Sequence, residues 1–177
     1  MNYSIIYSSK TGNTKQLANI VQETLTELYP DAVCLSCCAA EDAPEDALTA
    51  DRVYVGFWTD KGTCDADTAA FLGRLHDTTL FLFGTAGFGA SSEYYKTILD
   101  NVRKNIAAGN TVAGTFMCQG RMPAAVRTRY EKMAEADPDN AQMKQLIQNF
   151  DKALAHPDET DFNELRKALR AWIASVH

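Results

Sequence analysis

Tyr3-Ser4-Ile5-Ile6-Tyr7-Ser8-Ser9-Lys10-Thr11-Gly12-Asn13-Thr14 opens the chain with its plainest structural signal. The first five residues are an apolar, strand-like run. The next seven hold four hydroxyls and one glycine. Beyond them Leu17, Ile20, Val21, Leu25 and Leu28 recur at helical spacing, which predicts an amphipathic helix over 13–28. Strand, polar turn and helix in that order are the opening of a βαβ unit.

The rhythm continues downstream. Pro30-Asp31 ends the first helix, and Ala32 to Leu35 reads as a weak second strand. Arg52 to Phe57 is a strong third strand, and Asp65 to Leu75 a helix. Thr79 to Phe83 is a fourth strand, apolar on both faces, as a sheet covered on both sides requires. Ser91 or Ser92 caps a helix running to about Ala107, Gly109-Asn110 turns, and Thr111 to Cys118 is the fifth strand. Strands alternating with helices imply right-handed crossovers and a parallel sheet. The expected architecture is α/β, a doubly wound three-layer sandwich. The tail departs from this rhythm. Pro123 to Ala136, Asn140 to Ala155 and a last helix from Thr160 or Asp161 through Ile173 are helical in period. One of them must cover the sheet after strand five, and the others form a helical addition at about 121–157. The expectation is one domain over 1–177.

Composition narrows the function. The chain has 177 residues, 46% hydrophobic and 23% charged, close to the globular average. Apolar runs such as Leu80 to Phe83 fall far short of the ~18 residues of a membrane span. Met1-Asn2-Tyr3 leads straight into a strand with no signal-peptide pattern, so the expected location is cytoplasmic, with no membrane partner. Net charge is −6, and residues 1–119 carry all of it, with 14 acids against 8 bases. An acidic front half argues against nucleic acid, which needs Lys and Arg clusters. Cys34, Cys37, Cys38, Cys64 and Cys118 are odd in number and read as reduced thiols. Cys34-x-x-Cys37 has no second pair, and His76, His156 and His177 are scattered, so no metal site is expected.

The hydroxyl loop after strand one lies where open parallel sheets bind ligands, beyond the carboxyl ends of the strands. Hydroxyls and free N–H groups at a helix start favour an anion, here a phosphate, and Gly12 lets the backbone approach it. A Walker loop does not fit, because Asn13 follows Gly12. The G-x-G-x-x-G fingerprint is absent, and strand three ends Gly56-Phe57-Trp58 rather than in a receiver aspartate. Two further strand ends point to the same edge: Gly56-Phe57-Trp58-Thr59-Asp60-Lys61-Gly62-Thr63 and Gly84-Thr85-Ala86-Gly87-Phe88-Gly89. An aromatic ring on one loop and small residues on the other suit a flat ring standing between them.

With all three loops placed, the chain resembles a flavodoxin. The resemblance rests on Ser9 to Thr14, Trp58 to Gly62 and Gly84 to Gly89, and covers residues 1–119 and the last helix. It implies a sheet of order 2-1-3-4-5 and an FMN cofactor. It also implies that Ser9, Lys10, Thr11, Gly12, Asn13 and Thr14 surround the phosphate and that Trp58 stacks on the isoalloxazine. Thr59, Asp60, Lys61 and Gly62 would then border the reactive edge, and Thr85, Ala86, Gly87, Phe88 and Gly89 the pyrimidine side. In such proteins a peptide of the Asp60-Lys61-Gly62 turn reorients on reduction, for which Gly62 is the nearest residue able to reach φ > 0. The second loop lacks the usual aromatic for the outer ring face, a place open to Phe88, Tyr94 or Tyr95. The Gly-Phe-Trp-x-Asp-Lys-Gly and Gly-Thr-Ala-Gly-Phe-Gly variants are similar to anaerobe flavodoxin-like proteins, including accessory proteins of bilirubin reductases.

The implied function is electron transfer, with a reductase and an acceptor enzyme docking at the flavin edge through basic surfaces. An FMN-dependent NAD(P)H:quinone-type oxidoreductase is the enzymatic alternative. A non-catalytic interaction module without flavin is the third. No residue constellation for substrate turnover is visible, so no catalytic residue is assigned.

Overall fold

A computed structural model describes residues 1–89 and 91–175. Five parallel strands form the sheet: β1 (Asn2–Tyr7), β2 (Val33–Ala39), β3 (Arg52–Asp60), β5 (Thr79–Ala86) and β6 (Thr111–Gln119). Their order is β2-β1-β3-β5-β6, which is the expected 2-1-3-4-5 with one further strand inserted in the count. That strand, β4 (Thr63–Cys64), pairs antiparallel with the end of β3 and makes a small hairpin.

Strand alternation splits the core in two. Val53, Val55, Phe57, Leu80 and Leu82 face one side, with Phe71 and Leu72 of α2 (Ala66–Leu72) and Ile98 and Val102 of α3 (Ser92–Arg103). Tyr54, Phe81 and Phe83 face the other, against Leu17, Val21 and Leu25 of α1 (Asn13–Leu28). Leu165, Leu169 and Trp172 of α6 (Glu159–Ser175) complete that second side. The helix that covers the sheet after the fifth parallel strand is therefore the last one. The helices α4 (Ala124–Ala136) and α5 (Ala141–Ala153) pack on each other, with Arg127 of α4 paired to Asp151 of α5 at 2.9 Å.

Several elements differ from the sequence reading: β3 runs on to Asp60, β5 runs on to Ala86, and α3 ends at Arg103. The second strand runs to Ala39 rather than Leu35, because Leu35 is a bulge: Tyr3 pairs with Cys34 but Ser4 with Ser36. The bulge breaks the period of two, so the pattern beyond it goes unrecognised. The α2 helix stops at Leu72, and Asp65 is its cap, with Oδ1 accepting from Thr68 N at 3.1 Å. No helix among the described residues is long and apolar enough to cross a membrane.

Candidate functional site

Four chain segments meet at the carboxyl edge of the sheet. They are the β1–α1 loop, the end of β3, the β5–α3 loop and the β6–α4 segment 120–123. Lys10 and Trp58 stand at the centre, with Lys10 Nζ over the indole at 4.8 Å from its centroid. A cavity of about 430 Å³ lies against Tyr7, Ser9, Gly12, Lys15, Trp58 and Asp67. A second, of about 200 Å³, lies against Thr11, Asn13, Trp58, Thr59, Arg121 and Met122. Thr14, Thr85, Ala86, Gly87 and Gly120 line its floor and rim. Among the described residues neither cavity is lined by histidine or cysteine.

The start of α1 is built as an open cradle. Gly12 is its N-cap at φ 88°, a left-handed conformation that costs glycine little, and glycine brings no capping side chain of its own. A Cβ at Gly12 would meet nothing within 4 Å. Ser9 Oγ accepts from Lys15 N at 3.2 Å. Asn13 is 4% exposed and its Nδ2 donates to Arg121 O at 2.9 Å. Its Oδ1 is buried with no donor among the described residues. An orphaned buried acceptor calls for an O–H or N–H group from a ligand.

Thr14 has a different place from the rest of its loop. It is 1% exposed, and its hydroxyl lies 3.3 Å from both Phe57 O and Thr85 Oγ1. It ties the start of α1 to the ends of β3 and β5. Thr59 Oγ1 donates to Thr85 O at 2.8 Å and fixes those two strand ends to each other.

The hairpin tip sits apart. Lys61 (φ 49°) and Gly62 (φ 82°) are both left-handed, as a two-residue hairpin turn requires. Gly62 O accepts from Asn101 Nδ2 of α3 at 3.0 Å. Asp60, Lys61, Gly62, Phe88 and Gly89 line neither cavity. Nor do Tyr94 and Tyr95, which pack on each other at 6.1 Å and on the core, while Phe88 is 41% exposed. On the rim of the smaller cavity Met122 and Pro123 stand instead.

The 120–123 segment was not legible as part of the site. Gly120 N donates to Ala86 O at 3.0 Å, and Arg121 O receives Thr11 Oγ1 at 3.3 Å as well as Asn13 Nδ2. Met122 lies so close to Gly87 that a Cβ there would clash with its Cγ.

The thiols stand outside this chemistry. Burial pushes Cys34 and Cys37 up from the ordinary thiol range, and burial with the Asp65 carboxylate pushes Cys64 up to about 11. Protonated thiols are poor nucleophiles and poor metal ligands at neutral pH. His156, Asp158 and Asp161 gather within 4.8 Å, but they shape the start of α6. Asp158 Oδ1 accepts from Thr160 N and Asp161 N at 2.8 and 3.1 Å, and Asp161 Oδ2 lies 2.7 Å from His156 Nδ1. His177 lies outside the described residues.

Comparison with known proteins agrees with this geometry. The flavodoxin domain profile matches residues 4–170. A flavodoxin-like domain-containing protein of Clostridium symbiosum, BilS, is 38% identical over 172 residues, covering 91% of this chain and 90% of its own. BilS of Clostridioides difficile is 31% identical over 160 residues, covering 90% and 89%. Among solved structures, a short-chain flavodoxin associated with a non-canonical PDU bacterial microcompartment superposes with a TM-score of 0.63 at 18% identity, covering 100% of this chain and 99% of its own. Oxidised Flavodoxin 2 from Bacillus cereus superposes at 0.60 and 14% identity, covering 99% of each chain. At those identities the two structures speak to the fold, and it is the match along the sequence that carries the assignment: the chain belongs to the flavodoxin domain family.

Proposed function

We propose that this protein binds FMN at the carboxyl edge of its sheet and carries electrons from a reductase to an acceptor enzyme. The observation that carries the reading is the left-handed start of α1 at Gly12, whose cap residue has no side chain of its own, beside the orphaned Asn13 Oδ1. The free N–H groups of that turn and the Ser9 hydroxyl would hold the phosphate, joined by the Thr11 hydroxyl once it turns from Arg121 O, because a phosphate accepts hydrogen bonds and favours a helix N-terminus. A dianionic phosphate gives Asn13 Oδ1 nothing to accept, whereas a ribityl hydroxyl does. Trp58 would stack on the ring, and Thr85 to Gly87 would meet its pyrimidine side. Thr14 would act at second hand, by holding the strand ends in place. When bound, the flavin supplies one- and two-electron chemistry, and the chain contributes orientation and electrostatics.

A carrier is favoured over a turnover enzyme by the flavodoxin-domain match along residues 4–170. The acidic excess of residues 1–119 suits basic partner surfaces at the flavin edge, and the reduced thiols suit a cytoplasmic setting. Stopped-flow mixing of the FMN-loaded protein with NADH tests the reading. A carrier shows no direct bleaching of the flavin band, and its reduction by a donor protein slows as salt rises. Rapid reduction by NADH alone would favour the oxidoreductase instead.

A further inference from the structure

The helical addition reaches back into the site through one side chain. Asn149 stands on α5 beside Phe150, which is 3% exposed and anchors that face. Its Nδ2 donates to Gly87 O at 3.1 Å, and its Oδ1 accepts from Gly89 N at 3.1 Å. Gln119, 8% exposed at the end of β6, donates from Nε2 to Gly87 O at 3.0 Å and to Asn149 Oδ1 at 3.2 Å. One amide pair thus grips both ends of the Gly87-Phe88-Gly89 turn. Its partners lie 62 and 60 residues away along the chain.

The grip has a chemical consequence for the cavity rim. The Gly87 carbonyl receives two N–H donors, which fills both of its lone pairs. The two carbonyls before it are also engaged, Thr85 O by Thr59 Oγ1 and Ala86 O by Gly120 N. The N–H group of Gly87, on the smaller cavity, meets no backbone acceptor among the described residues. The loop is therefore biased toward donating hydrogen bonds.

We propose that Asn149 and Gln119 are positioning residues of the flavin site, a latch by which the helical addition holds the β5–α3 loop as a hydrogen-bond donor toward the ring's carbonyl oxygens. This rests on the flavin reading above. Donors fixed in place favour the negative charge that reduction adds to the N1–C2=O side of a flavin. The α4–α5 pair is then part of the redox site and not an appendage to it.

Asn149→Ala, Asn149→Asp and the exposed neighbour Gln148→Ala test the latch in two ways. In the flavin-free protein, amide exchange at Gly89 should be about tenfold faster or more in Asn149→Ala, the loss of one hydrogen bond. It should stay near wild type in Gln148→Ala; Asn149→Asp keeps the acceptor for Gly89 N but sets a carboxylate oxygen against Gly87 O, so it should fall between the two. Exchange within α5 itself should not change, which separates a lost latch from a lost helix. Unchanged Gly89 exchange in Asn149→Ala overturns the latch. In the FMN-loaded protein, Asn149→Ala and Gln119→Ala should shift the second one-electron potential to more negative values, with the ratio of FMN to riboflavin affinity unaltered. Potentials equal to wild type would overturn the electrostatic role. A wild-type protein that takes up no flavin would refute the function reading, while the exchange result would still decide the latch.

Discussion

Thr14 and Thr11 stand three residues apart in one loop, yet the fold uses them differently. Thr14 is buried and bonded to Phe57 O and Thr85 Oγ1, whereas the Thr11 hydroxyl is part of the cradle wall. Thr14→Val keeps the shape and removes the hydroxyl, which leaves the buried Thr85 hydroxyl short of a partner. The expected cost is about 1–3 kcal/mol of stability, read from the denaturant midpoint. Thr11→Ala should change stability by no more than about 0.5 kcal/mol and weaken FMN, but not riboflavin, by about 1.5–3 kcal/mol. If Thr14→Val is as stable as wild type, Thr14 is not the tie described here. The sequence shows a cluster of hydroxyls but not which way each one turns. Burial decides that, through contacts with strands more than 40 residues distant. The same holds for Phe57 and Trp58. Phe57 continues the strand and is expected in the core, with Trp58 displayed, and Phe57 is indeed fully buried.

At the scale of elements, all four site segments follow the rule that ligands meet the carboxyl ends of parallel strands, and three of them also carry a motif that can be read locally. The fourth, Gly120 to Pro123, has no local signature. It joins the site through Thr11 and Asn13, 110 and 108 residues from Arg121. The β3–β4 hairpin is the converse case. Its sequence reads as a site loop, and in the fold Asn101 of α3 bonds its tip at Gly62 O. Gly62→Ala should cost about 1–2 kcal/mol, since alanine must adopt the left-handed conformation. FMN affinity should stay within about twofold, as measured by fluorescence titration. A loss of FMN affinity at unchanged stability would place the tip in contact with the ring.

Across the whole molecule, the alternation of each strand between two helical layers fixes the sheet, and the sheet fixes where its carboxyl edge lies. That logic was legible because the Leu80 to Phe83 run must be covered on both faces. The work of the C-terminal segment was not legible, because helical period shows that helices form but not what they pack against. In the fold α6 completes one layer, while α5 reaches the β5–α3 loop. Charge is likewise a property of the whole chain, with the net −6 confined to the half that carries the first three site loops. The central claim is that this edge holds FMN by its phosphate. Calorimetric titration of the flavin-free wild-type protein with FMN, and separately with riboflavin, tests it most directly. The account predicts one FMN per chain and an affinity more than about a hundredfold above that for riboflavin, from at least two donors to a charged phosphate. Equal affinity for the two ligands, or no binding of FMN, would contradict it.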